Sequence, residues 1–571
     1  VLDDQIVITS NSFTQKGFGG IWEIFTTESF TGFFGEQKDL VQGARYRPLS
    51  IATFAIENGL WGNNPGVSHA INIVLYALVS FLIYKLIFEL YTPSKNFKIW
   101  SIAFLTAFFY LVHPLHTEAV ANIKGRDEIL VFLFSLLALL ATLKWEKTSK
   151  WRYSLMAGTF LLLGLFSKEN AITFVAIIPL TLYIFYQSTL KSLIIKSMPL
   201  LITTILYLII RWKIIGYLWS DSSEITDVMN NPFYGMSISE KYATISFTLW
   251  KYIQLTLFPH PLSHDYYPYA IPILNWADYR AYLPLLFYLI FAITGIWALI
   301  KKYKAGYGLL FYLITLTIVS NVVINVGTFM NERFLFISSM GICLLLAIGL
   351  IKLSKIAQYL KWLSYSISII IIAGYCWKTF DRVPDWENAL SLNTSAVQAN
   401  PGSARANSFM STALYNEWKV KPSSEEKKQA IIEAYKYAEG AVEVLPKYRN
   451  AQLMKAGVAA ELYKFDNDLS VLLNRFGEVA SYRPDVDFIL TYMNYLHNRV
   501  PEKTLADWYY EIGYKNVFLK QKNPGWALKY LEQGYQLAPG DRKIIQGLAE
   551  IYQAVGNQQN AEKYFNILSE L

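Results

Sequence analysis

The chain has 571 residues, of which 53% are hydrophobic, 16% aromatic and only 16% charged, against roughly 25% charged in an ordinary globular chain. That balance excludes a soluble globular protein and a disordered one, and two cysteines exclude a disulfide-rich scaffold, which leaves a membrane protein. The net charge of +8 raises nucleic acid as a partner, a question that the positions of the charges decide.

Apolar stretches long enough to approach the width of a bilayer recur near 67–90, 99–112, 128–143, 153–166, 171–187, 193–210, 282–300, 305–323, 334–351 and 362–378. These ten predict ten membrane helices. The chain begins Val-Leu-Asp-Asp, which reads as the exit from a helix, so a preceding span is expected and would make eleven. Loops 91–98, 144–152, 187–196, 301–304 and 351–361 hold fourteen Lys/Arg and one acid, Glu146. The positive-inside rule places all five in the cytoplasm. No basic patch is then left over for nucleic acid.

The opposite side receives 1–66, 113–127, 167–170, 211–281, 324–333 and the C-terminal tail. Residues 238–258 are amphipathic, and a span there would break the alternation of charged loops, so they are read as an interfacial helix. Cys343 and Cys376 fall inside predicted spans and read as packing residues. Beyond residue 384 the composition becomes soluble in character. Gly547, Leu548 and Tyr552, the turn glycine Gly556, then Ala561 and Tyr564 have the layout of a tetratricopeptide repeat. Four or five such units are expected over 385–571, forming a solenoid whose groove suits an extended polypeptide. The expected fold class is all-α: a multi-pass helix bundle over 1–384, then a soluble repeat solenoid on the non-cytoplasmic side.

Chemistry-bearing residues collect on that outer side. The run HPLHTEAVANIKGRDE, 113–128, packs two histidines, acids and bases into one loop at the head-group layer, where charge is costly unless paired or functional. SKEN adds Lys168 and Glu169, NERF adds Glu332 and Arg333, and GARYRPLS adds Arg45 and Arg47. Cations and carboxylates converging at one leaflet suit a lipid-borne phosphate, because Arg and Lys hold phosphate oxygens. The adjacent Asp3 and Asp4 are candidates for a general base and its support.

These runs, with SHAINIVLYA, LFPHPLSHDYYPYAIP and NERFLFISSMG, resemble a GT-C glycosyltransferase, and within that superfamily the transmembrane-and-tetratricopeptide-repeat protein O-mannosyltransferases. Tyr76 and Ser338 depart from the family pattern, standing where it has histidine and proline. The resemblance implies transfer of a sugar, mannose in the family, from a polyprenyl or dolichyl phosphate to a protein Ser/Thr hydroxyl by one inverting displacement. On that reading Asp3 is the general base and Asp4 supports it. Lys168, Arg333, Arg126 and Arg47 neutralise the donor phosphate, helped by His113 and His116. Glu118, Asp127, Glu169, Asp265 and Glu332 shape the sugar or acceptor pocket. No cofactor is implied. Two histidines three apart with an acid nearby would also suit a divalent metal, although Pro114 interrupts a continuous helix between them.

The rival readings are a GT-C transferase acting on a lipid or cell-surface glycan, a transporter for the same lipid-linked sugar, and a silent scaffold. A transporter predicts charges at mid-membrane, whereas here they sit at one surface. Lys/Ile/Asn-rich usage and compact loops read as bacterial, with a periplasmic active face on the inner membrane; in a eukaryote the equivalent is the endoplasmic reticulum lumen.

Overall fold

The computed structural model describes residues 4–38, 45–92, 100–218 and 226–571. Asp3 and most of the 91–98 loop lie outside them. The chain divides into two compact units, Val1–Tyr267 with Ile271–Ala399, and Pro268–Ala270 with Asn400–Leu571.

The first unit is a multi-pass membrane bundle. Among the described residues seven helices are long and apolar enough to cross a bilayer: Pro65–Tyr91, Ile123–Thr148, Glu169–Tyr186, Leu190–Ile215, Tyr279–Ile300, Glu332–Leu353 and Gln358–Trp386. Three shorter apolar helices, Ile102–Leu111, Arg152–Ser167 and Lys304–Val319, take the remaining positions expected from the sequence. Local chemistry sets the helix starts. Asn64 accepts from the Gly66 and Val67 amides ahead of Pro65, Ser101 accepts from Phe104 and Asp278 from Arg280, each satisfying amides that the first turn leaves open.

Burial sorts the helices into a centre and a ring. In Ile123–Thr148 and Glu332–Leu353, 72% of the apolar window is buried by protein, against 17% in Tyr279–Ile300 and Gln358–Trp386. A helix apolar on all faces and buried on all faces is central, and the exposed apolar faces of the others are the surface offered to lipid. The Tyr307–Leu316 and Leu335–Leu353 helices meet backbone to backbone: a Cβ on Gly341 would lie 2.4 Å from the Gly308 carbonyl oxygen, and one on Gly308 2.6 Å from that of Gly341. Only glycine permits that approach.

Residues 238–258 do form a helix, Ile238–Leu257, opened by a reciprocal capping box between Ser237 and Glu240. It packs on Tyr279–Ile300 and Leu335–Leu353. A helix that the sequence reading did not anticipate, Pro48–Trp61, buries seven residues, among them Glu57.

The second unit consists of helices stacked in chain order, from Ala404–Val420 and Ser424–Val444 to the last pair, Arg542–Ala554 and Gln558–Glu570. A Cβ on Gly547 would lie 3.0 Å from Leu531 Cδ1 and 3.2 Å from Tyr514 Cδ2, and in the last helix Ala561 and Tyr564 are buried. The repeat pattern is therefore a packing pattern, with small residues where neighbouring helices touch.

Candidate active site

The 113–128 run folds into three short turns, Pro114–His116, Thr117–Ala121 and Ile123–Gly125, before the central helix begins at Arg126. A Cβ on Gly125 would fall 2.4 Å from the Ala119 carbonyl oxygen, so the chain doubles back tightly enough to need glycine there. Asp127 and Glu128 occupy the first turn of the central helix, where the helix dipole favours anions.

From this point a chain of ion pairs spreads over one end of the bundle. Arg47 places Nη1 at 2.8 Å from Asp127 Oδ2, Nε at 3.0 Å from Glu169 Oε2 and Nη2 at 2.5 Å from Glu169 Oε1. Lys168 pairs with buried Glu128, and its ammonium lies over the Phe334 ring. Arg333 donates from Nη1 to Glu118 Oε1 at 2.7 Å and covers the same Phe334 ring. Lys168, Arg47, Lys124 and Arg333 all lie within electrostatic reach of Asp127.

Arg126 is placed differently. It is fully buried, pairs with Glu57, donates to Asn72 Oδ1 at 2.8 Å, to Thr53 Oγ1 at 3.1 Å and to the Ser68 carbonyl at 3.1 Å, and covers the Phe54 ring. Its donors are consumed inside the fold. The expectation that Arg126 faces a phosphate gives way to a structural role, that of tying the Pro48–Trp61, Pro65–Tyr91 and central helices together.

The histidines are corrected in the same way. His113 Nδ1 accepts from the Leu115 amide at 3.3 Å, so Nε2–H donates to the Thr256 carbonyl at 2.9 Å. His116 Nδ1–H donates to the Tyr110 carbonyl at 2.9 Å, leaving Nε2 to accept from Ser339 Oγ at 2.9 Å. Both rings are 2% exposed. Burial pushes His113 down to about 4 and His116 well below the ordinary histidine range, so both are neutral and neither offers a cation to a phosphate. Tyr76 fits here: its hydroxyl donates to the Tyr110 carbonyl at 2.7 Å and lies 2.8 Å from His116 Nδ1.

A pH dependence follows. The unfolded chain takes up protons on these rings below about 6.5 while the folded chain does not, so stability falls as pH drops from 7 towards 4. Between pH 7 and 5, His113 alone should cost about 2 kcal/mol. A melting temperature of the detergent-purified protein that is unchanged across that interval contradicts the assignment.

The 259–267 loop closes the other flank. Glu332 Oε1 accepts from the Ser263 amide at 2.5 Å and from the Tyr266 hydroxyl at 2.8 Å. Asp265 is completely buried, its Oδ1 accepting from the Tyr267 amide at 2.9 Å. Asp4 sits at the 113–128 run, its Oδ1 accepting from the Lys124 amide at 3.1 Å, and His69 lies within electrostatic reach of both Asp4 and Arg126. Next to Lys124 is a small recess of about 20 Å³, lined by Arg45, Arg47, Lys124 and Asp127 together with the apolar side chains of Phe30 and Phe54, among others. Asp4, Arg47, Lys168, Arg333, Glu118, Asp127 and Glu169 thus gather at one end of the bundle. Among the described residues no three His, Cys, Asp or Glu side chains converge as a metal site.

The sequence reading missed Glu57 and Asn72, the partners of Arg126, and named Glu128 only within its run. A lone acid in the apolar stretch IATFAIENGLW was the available signal for Glu57.

Residues 48–215 match the dolichyl-phosphate-mannose-protein mannosyltransferase family, a stretch that carries Arg47's immediate neighbours, the 113–128 run and Lys168. The chain is 29% identical over 411 residues to protein O-mannosyl-transferase F38B6.6 of Caenorhabditis elegans, covering 71% of this chain and 55% of that protein. It is 28% identical to human protein O-mannosyl-transferase TMTC1, covering 71% and 49%, and 27% identical to mouse TMTC3, covering 65% and 42%. The chain spans about half the length of these relatives. The human IFIT1 dimer with PPP-AAAA aligns at 13% identity over 87% of this chain and 94% of its own with a TM-score of 0.19, too low to bear on the fold. The chain is similar to the TMTC-type protein O-mannosyl-transferases, and residues 48–215 match the mannosyltransferase family to which that resemblance points.

Proposed function

We propose that the chain transfers a mannosyl group from a polyprenyl or dolichyl phosphate to a Ser/Thr hydroxyl of a protein at the non-cytoplasmic face of the membrane. The observation that carries this reading is the gathering of Arg47, Lys168, Lys124 and Arg333 around Asp127 at the outer end of an apolar bundle, within and beside the family-matched stretch. In the displacement, the acceptor oxygen forms its bond to the anomeric carbon as the bond from that carbon to the phosphate oxygen breaks. The hydroxyl proton passes to a carboxylate, assigned to Asp3 with Asp4 in support, and the polyprenyl phosphate leaves. Such a leaving group needs positive charge rather than a proton.

The cations differ in how far a donor can reach them. The side chains of Arg333 and Arg47 are 18% and 13% exposed, while that of Arg126 is 0%. Arg333 and Arg47 therefore take the phosphate in this proposal, exchanging part of their carboxylate contacts for phosphate oxygens, and Lys168, 4% exposed and paired with Glu128, adds its charge from within the fold. Glu118, Asp127 and Glu169 hold Arg333 and Arg47, and together with Asp265 and Glu332 they shape the pocket for the sugar and acceptor in this proposal. The repeat region, 385–571 in this proposal, lies on the same side of the membrane as the site and holds the acceptor as an extended polypeptide.

The test is transfer of labelled mannose from a mannosyl-phosphoryl polyprenol to a Ser/Thr-bearing polypeptide by the protein in liposomes. Wild type should transfer, and Arg333→Gln should lower kcat/KM by about 10- to 100-fold through loss of one charge-assisted contact. Absence of transfer by the wild-type protein, or full activity of Arg333→Gln, overturns the reading.

A further inference from the structure

Apart from the ion-pair chain, Glu332, Arg382 and Trp386 bury polar atoms that have no hydrogen-bond partner among the described residues. Glu332 is 1% exposed and Arg382 2% exposed. Glu332 Oε1 holds the 263–266 loop through the Ser263 amide and the Tyr266 hydroxyl. Its other oxygen, Oε2, is buried without a hydrogen-bond partner among the described residues. Arg382 is half engaged in the same sense. Its Nη1 donates to Asp385 Oδ2 at 2.7 Å and to Ser395 Oγ at 2.6 Å, while Nε and Nη2, the edge that carries two parallel donors, have no hydrogen-bond partner among the described residues. Trp386, one helical turn further on, likewise buries an unpartnered Nε1 and sets its ring edge-on to His264 at 6.2 Å. Arg382 is the main compensating charge felt by Glu332 and also acts on the Tyr266 hydroxyl.

A buried carboxylate with one idle oxygen, within electrostatic reach of a buried guanidinium with one idle edge, is costly unless something joins them. No direct ion pair does so. A water accepting from Arg382 and Trp386 and donating to Glu332 Oε2 would have the two to four polar partners that buried water requires.

We infer that Glu332 and Arg382 form a water-bridged, buried ion pair that positions the 263–266 loop and Arg333, with Arg382 acting as a positioning residue for the transfer reaction. The reaction itself rests on the function proposed above; the pairing does not. Glu332 is adjacent to Arg333, whose backbone amide and guanidinium both meet Glu118. Fixing Glu332 therefore fixes the point from which Arg333 reaches out.

The test is a double-mutant cycle on the full chain in detergent, with Arg382→Gln, Glu332→Gln and the pair together, read by melting temperature and by affinity for a short-chain polyprenyl phosphate. Arg382→Gln strands the Glu332 charge and should lower the melting temperature by about 5–10 °C and weaken polyprenyl-phosphate binding about tenfold. Glu332→Gln keeps an oxygen for Ser263 and Tyr266 and leaves Arg382 its contact with Asp385, so it should cost less. The double variant should lie closer to wild type than Arg382→Gln in both readouts. Additive losses in the double variant overturn the pairing. If Arg382→Gln does not accumulate, recovery of folded protein by the double variant supports the pairing, and failure of both to accumulate while Glu332→Gln behaves as wild type overturns it. A wild-type protein that binds no polyprenyl phosphate counts against the proposed function, while the melting temperatures still report on the pair. If binding in Arg382→Gln matches wild type while its melting temperature falls, the positioning role is overturned.

Discussion

Replacing Asp3 by Asn is expected to lower the rate of mannosyl transfer by about two to four orders of magnitude, with little change in donor affinity. An alcohol attacks slowly while it keeps its proton, and the amide that replaces the carboxylate cannot take that proton. Asp4 is not an equivalent substitute, because its Oδ1 is already tied to the Lys124 amide. Asp4→Asn retains an oxygen for that contact and should lose about tenfold or less. The measurement is turnover at saturating donor, with polyprenyl-phosphate binding as the control. Near-normal turnover of Asp3→Asn removes Asp3 from the role of base.

The largest effect on stability is expected at Glu57. Glu57→Ala should destabilise the protein by about 3–5 kcal/mol, the cost of leaving a buried charge without its partner. Arg126 is enclosed completely, with Glu57, Asn72, Thr53 and the Ser68 carbonyl around the guanidinium and the Phe54 ring across its face. Glu57 also accepts from Ser68 Oγ at 2.6 Å, so its loss opens the contact between two helices at a second point. Apolar replacement of both partners, Glu57→Leu with Arg126→Met, should recover most of the loss, because no charge is then left buried. Melting temperature or denaturant midpoint in detergent reads both variants. A Glu57→Ala protein as stable as wild type contradicts the account of Arg126.

The two outcomes differ in what the sequence could reveal. The seven helices long enough to cross a bilayer and the three shorter apolar ones were legible because the signal is local, a run of apolar residues bounded by polar loops. Residues 238–258 were legible as a helix by the same local periodicity. The Pro48–Trp61 helix was not legible, because Ser50, Thr53, Glu57, Asn58 and Gly59 dilute its hydropathy and tertiary packing stabilises it. Within the site, the residue types were legible but not their pairing. Arg333 meets Glu118 across 215 positions and Arg47 meets Glu169 across 122, separations that no spacing rule spans.

The histidines show the limit most clearly. Two histidines at a membrane boundary suit a phosphate as well as they suit internal carbonyls. Only the positions of the Thr256 and Tyr110 carbonyls decide between those uses. Arg126 was misread for the same reason: a guanidinium at the head-group layer looks available until Glu57 is placed beside it. Exposure separates the cations into those that hold the fold and those that a lipid head group can reach.

The central claim is that a lipid-borne glycosyl phosphate docks among the outer cations of the bundle. A polyprenyl phosphate carrying a photoreactive group next to its phosphate, incorporated with the protein into liposomes and cross-linked, tests it directly. Cross-links should map to the recess around Arg45, Arg47 and Lys124 and to the neighbourhood of Lys168 and Arg333, and unlabelled polyprenyl phosphate should compete them away. Cross-links confined to the lysine-rich inner loops, with the outer end of the bundle unlabelled, would contradict the account.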